Sequence, residues 1–271
     1  MRSEFVRSVS TLIYGSFVLL FSWQSIRAEK PQPREKGIWR NQQAKYQLAG
    51  QHEKLLVASL RRITGFQQLD FLSNGALHLG EVNPLAQGSL KARTILQQII
   101  NSGSEVIIED HSNSPLVNFG QLDEGTRYED WVNHKKFIIW CVRIDFEDIQ
   151  TMETSPVVRE SFDSGITVLH EFLHALGHKD PDNFGEVGEC EEIINQVRTE
   201  LGLPVREHYH GVPILQLSNQ SAIVRVRFRE RLAAKLTKIA APARWKTHYL
   251  FFVMRTTDEP SSAFIRLHKQ D

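Results

Sequence analysis

Several things are scarce in this chain, and each scarcity narrows what it can be. There is no surplus of charge: Lys plus Arg number 32 and Asp plus Glu number 32 over 271 residues. No overall field therefore points to nucleic acid or to an acidic partner. Cysteine stops at two, Cys141 and Cys190, so a scaffold stapled by many disulfides is excluded. One bridge between them is permitted in an exported protein, and two separate buried thiols are the other reading. There is no internal repeat and no low-complexity run. With 41% hydrophobic and 24% charged residues, what remains is an ordinary globular composition.

The apolar run from Val9 to Trp23 is 15 residues long, short of the roughly 20 that span a bilayer. Arg2 and Arg7 precede it and Ser25-Ile26-Arg27-Ala28 follows. A signal peptide over 1–28, cut after Ala28, is expected, although Arg27 is not an ideal neighbour for the cut. That implies a secreted or periplasmic protein with no stable membrane span once the segment is removed. An uncleaved anchor and a buried segment are the alternatives. Residues 29–44, with Pro31, Pro33 and several charges, read as a polar linker.

Beyond the linker, apolar spacing predicts a helix within 44–64 and another from Leu90 to Ile100. Short strands are expected at Phe71-Leu72 and at 76–79, around the Asn74-Gly75 turn. Val106 to Glu109 is a further strand, and Phe137 to Phe146 an interior one, apolar on both faces. Asp163 or Ser164 caps a helix that ends near Gly177. A last helix covers Glu189 to Leu201 and stops before Pro204. From 211 onward Lys and Arg number 11 against 4 Asp and Glu. Ile223 to Arg229 alternates apolar and basic residues, as a strand with one wet face does, and His248 to Met254 is a last strand. Such a basic stretch favours anionic surfaces or is simply a solvated face.

The chemistry concentrates in His170-Glu171-Phe172-Leu173-His174. Two histidines four apart on a helix share a face, about 6 Å apart along the axis, and imidazole is a good zinc ligand. Glu171 stands beside the ion, placed to take a proton from a water whose pKa zinc lowers to about 7. The surrounding helix is apolar (Ile166, Val168, Leu169, Phe172, Leu173), so burying these polar groups without a partner would be costly. The other reading is a pair of hydrogen-bonded histidines.

His170 to Gly177, HEFLHALG, resembles the active-site helix of zincin metalloproteases. The resemblance is specific at the motif and loose over roughly 50–210. It implies an α+β fold in which a zincin-like catalytic domain, 45–210, packs its active-site helix on a small mixed sheet, with a basic β-rich extension over 211–271. It implies one Zn2+ ion and a peptide or protein substrate, with no nucleic acid.

The third ligand distinguishes branches. In gluzincins a Glu on the next helix ligates; Glu189, Glu191 and Glu192 qualify, with Glu189 preferred as ligand and Glu192 as the acid that orients a histidine. In the metzincin pattern the ligand lies three residues past Gly177. That residue is Asp180, as in snapalysin-like members, and Pro181 holds its backbone extended. His178 is about 12 Å along the helix from His170, too far to join. Arg206 and Tyr209 share the Arg-x-x-Tyr spacing with which neurotoxin gluzincins face the scissile carbonyl, and both can donate to an oxyanion. A surface Arg beside a packed Tyr is the plainer reading. Zincins lay substrate along an edge strand, and Val106 to Glu109 is the expected edge. The rival functions are an inactive metal-binding relative acting as a secreted interaction protein, and a metallohydrolase for another bond.

Overall fold

In the computed structural model, residues 36–81, 87–112, 114–130, 135–232 and 244–255 are described. The expected signal segment lies outside them. In chain order come β1 (Gly37–Arg40), α1 (Gly50–Thr64), β2 (Asp70–Phe71), β3 (Leu77–His78), α2 (Leu90–Asn101), β4 (Glu105–Asp110), β5 (Gly120–Asp130) and β6 (Lys135–Ile144). Then follow α3 (Phe146–Thr151), β7 (Glu153–Thr154), α4 (Pro156–Ser161), α5 (Ser164–Ala175), α6 (Glu189–Glu200), β8 (Val205–Arg206), β9 (Val212–Ser218), β10 (Ser221–Leu232) and β11 (Arg244–Arg255). The fold is α+β.

A four-stranded mixed sheet runs in the order β1-β4-β6-β5. β1, β4 and β6 are parallel and β5 is antiparallel to β6. Val106, Ile108, Val142 and Ile144 are fully buried, as the apolar runs of interior strands demand. Against this sheet pack α2 and α5, with α1 and α6 each against α2 and α5. A second sheet is built on the antiparallel β10–β11 pair, flanked by β7, β8 and β9.

Three expectations are corrected here. The 29–44 linker contains β1: Ile38 and Trp39 are buried, and β1 pairs in parallel with β4. Four residues are too few to show a period, so the strand was hidden among charges. Val106 to Glu109 is not an edge, because β4 lies between β1 and β6; β5 is the edge on the side of α5. Nor do the strands after 211 form a separate extension. Val226, Phe228 and Leu250 belong to the same core as Leu169 and Ile194.

Candidate metal centre

α5 is fixed at its start and at its end. Asp163 caps it by accepting from the Ile166 amide at 3.0 Å. At the end Gly177 takes φ +96°, the left-handed conformation that costs glycine least. The chain then turns back, and Asp180 returns to the face of the helix that carries the two histidines.

One carboxylate oxygen of Asp180 lies 3.3 Å from His170 Nε2 and the other 3.0 Å from His174 Nε2. The ligand atoms of His170, His174, Asp180 and Cys190 all lie within 4.8 Å of one another. They divide by the two sides of His174, however. The Cys190 thiol meets Nδ1 at 3.5 Å, where the His178 carbonyl also sits at 3.1 Å. The two nitrogens of an imidazole point apart, so Cys190 stands behind His174 rather than with the other donors. Burial pushes its thiol pKa up.

The donor set fits a divalent transition ion. His170 Nε2 and Asp180 Oδ1 are buried and face each other at 3.3 Å without the geometry of a hydrogen bond and with no other partner, an arrangement that an ion between them would explain. His174 keeps Nε2 for that position because the carbonyl of His178 occupies Nδ1. Two imidazoles and a carboxylate match zinc's preferences. Without an ion, the hydrogen bond to Asp180 lifts the His174 pKa to about 11. Burial would raise the pKa of Asp180, but both histidines hold it below the usual carboxylate range.

Glu171 is buried, with only 7% of its surface exposed. Burial pushes its pKa up, and the neighbouring histidines and the Leu122 amide partly oppose this. Edge strand β5 reaches it very closely: a Cβ on Gly120 would lie 2.6 Å from the Thr167 side chain and 3.1 Å from Glu171 Oε1. A cavity of about 110 Å³ opens beside Glu171, walled by Phe119, Phe162, Phe252 and Tyr209. Drug-sized ligands occupy about 300–1,000 Å³, so this space suits a single side chain.

Glu189, the preferred third ligand in the sequence, is not in the cluster. Its side chain is 58% exposed and bonds His178 at 2.7 Å, because it opens α6 on the outer side of the turn. Glu192 is exposed as well. Glu191, between them, is the buried acid. Its Oε2 lies 3.7 Å from His170 Nδ1, and it pairs with Arg198 and, at 3.4 Å, with Arg206. Burial would raise its pKa, but Arg198, Arg206 and His170 hold it down to about 2.

Tyr209 stacks on His170 with ring centres 5.6 Å apart, and its hydroxyl faces Asp180. Burial and that carboxylate push its pKa up. Arg206 lines the same cavity, yet each of its three guanidinium nitrogens is already engaged, by Glu191 and by the carbonyls of His208 and Tyr209. Cys141 and Cys190 are both free, so the permitted bridge is not made. The sequence reading missed Arg198, a basic residue buried to 1%. Its only signal was a charge on the inner stripe of a helix, beside Ile194 and Val197. Comparisons with protein-family models, curated proteins and solved structures find no match.

Proposed function

We propose that the chain is a zinc-dependent peptidase of zincin type with the metzincin-like ligand set His170, His174 and Asp180. The observation that carries this reading is the convergence of three ligand side chains, with His170 Nε2 and Asp180 Oδ1 buried and in contact only with each other, beside a buried glutamate on the helix of the two histidines. Zinc held there would supply a Lewis acid and lower the pKa of a water.

The protein's own residues do the rest. Glu171, kept from solvent and raised in pKa, takes a proton at its carboxylate and returns it to the leaving amine. Among the described residues no strand pairs with the outer edge of β5, and its backbone groups serve an extended peptide, a mode of binding that does not depend on sequence. The aromatic cavity beside Glu171 receives one substrate side chain and excludes water. The Tyr209 hydroxyl, turned to Asp180 before substrate arrives, is the donor nearest the reacting carbonyl.

The test is a peptide-library digest with the metal content measured in parallel. One zinc per chain, cleavage lost on chelation and restored by zinc, and cleavage abolished in Glu171→Gln are expected. Cleavage that survives both zinc removal and Glu171→Gln would refute the proposal. Zinc binding with no cleavage of any peptide would favour the inactive metal-binding relative.

A further inference from the structure

The sheet around β10 has a second face, turned away from the core. Residues directly opposite in an antiparallel pair share a face. The register therefore sets Arg225, Arg227, Arg229 and Arg231 opposite Phe251, Tyr249, Thr247 and Trp245. On the opposite face of β10, Val224, Val226 and Phe228 are buried. Two of these arginines lie over aromatic rings: Arg225 over Tyr249 at 5.2 Å and Arg229 over Trp245 at 4.6 Å.

Two carboxylates share the face. Glu207 pairs with Arg227 at 3.2 Å and with Arg229 at 3.1 Å, and Glu153 stands opposite Phe251. Arg225 and Arg231 meet no carboxylate among the described residues. The face thus stays positive after its internal pairs are counted. Beyond the arginines it turns aliphatic. Ile223 is flanked by Leu215 on β9 and Val253 on β11, and Leu215 and Val253 are 54% and 40% exposed. Val212, opposite Arg225, is 49% exposed.

We propose that this face attaches the protein to an anionic phospholipid bilayer. Three chemistries sit side by side here, and such a surface answers all three. Arginines draw it to acidic headgroups. Trp and Tyr rest at the headgroup level with one end wet. Leu215, Val212 and Val253 bury in the acyl boundary. A single-stranded nucleic acid would answer the arginines and the rings but has nothing to cover the aliphatic end. Among the described residues no helix is long and apolar enough to cross a membrane.

The test is sedimentation of the full chain with phosphatidylcholine vesicles, with and without about 30% phosphatidylserine. The apolar run at 9–23 adds equally to both, so the readout is the gain due to phosphatidylserine. That gain is expected to fall with salt. Each unpaired arginine is expected to contribute about fivefold, so Arg225→Gln with Arg231→Gln loses about 25-fold. Arg227→Gln, whose charge Glu207 already answers, loses less. Leu215→Ser with Val253→Ser weakens binding while keeping the salt dependence. Both pairs face outward, and circular dichroism checks that they fold. Equal binding to the two vesicle types would overturn the proposal. So would an unchanged gain in Arg225→Gln/Arg231→Gln, or tighter binding to a single-stranded oligonucleotide or an acidic peptide than to the phosphatidylserine vesicles.

Discussion

Asp180→Asn separates the two carboxylates that compete for the third ligand position. Asp180 sets one oxygen on each histidine, at 3.3 and 3.0 Å, while Glu189 points outward to His178. The substitution keeps shape and removes charge. A hydrogen bond to a charged group is worth about 1.5–3 kcal/mol, and 1.4 kcal/mol is tenfold. An anionic ligand is worth no less than such a bond, so zinc affinity is expected to fall by about 10- to 100-fold or more. Glu189→Gln leaves it unchanged, because water screens that carboxylate and replaces its contact. The assay is competition for zinc against a chromogenic chelator, starting from chelator-stripped protein, with both variants checked for fold. If Glu189→Gln weakens zinc as much as Asp180→Asn does, the ligand set drawn from the fold is wrong.

Glu171→Gln is expected to abolish cleavage, keep zinc, and raise the melting temperature of the metal-free protein at pH 7. Burial raises the Glu171 pKa, so its ionised form opposes the fold. About 1 kcal/mol would appear as roughly 2–4 °C in a chain of this size, and an unchanged or lower melting temperature would refute the burial argument. Arg198→Ala leaves Glu191 charged and buried, and a broken buried pair costs about 3–5 kcal/mol. Chemical denaturation should show that loss, and a change below about 1 kcal/mol would mean the pair is solvated. Burial first, and Asp145 second, raise the Asp148 pKa. A group raised on folding contributes stability that is full below its unfolded value and is lost as pH rises through the folded one. Asp148→Asn should therefore match the parent near the unfolded value of 3.8 and exceed it at pH 7 in a melting series.

The parts of the fold that are periodic and apolar were legible in the sequence. α2, α5 and α6 begin and end within a residue or two of their expected limits, and β6 is interior as its two apolar faces require. β1 and β5 were not legible, for different reasons. β1 has four residues, and only Ile38 and Trp39 speak for burial. β5 reads Gly-Gln-Leu-Asp-Glu-Gly, with hardly an apolar residue, because it is an edge strand held by backbone pairing to β6. Its place beside Glu171 is signalled only by Gly120, and a glycine's reason becomes visible only once its neighbour is.

The third ligand shows how a helix can mislead a reading made along it. Glu189, Glu191 and Glu192 invite a division of roles by spacing, and the gluzincin resemblance put the ligand on Glu189, with Asp180 of the metzincin pattern as the alternative. The fold instead ranks them by depth. Glu191 is 99% buried because Arg198, two turns further along the same face of α6, and Arg206, beyond the turn, come inward to meet it. An acid so buried cannot stay charged alone, so the two arginines and the acid had to be chosen together, and no single position carries that signal. Asp180 needed a different clue. Gly177 at φ +96° ends the helix sharply, and only a chain that turns there brings the third residue onward back against His170 and His174. Gly177→Ala is thus a stricter test of the ligand set than it looks. Nothing lies within 4 Å of an added Cβ, so the strain is in the backbone alone, about 1–2 kcal/mol. If Asp180 is the ligand, zinc affinity falls with it and the rest of the fold holds. If zinc affinity is untouched while the melting temperature falls, the strain is borne equally with and without the ion, and the fold rather than the metal sets the turn.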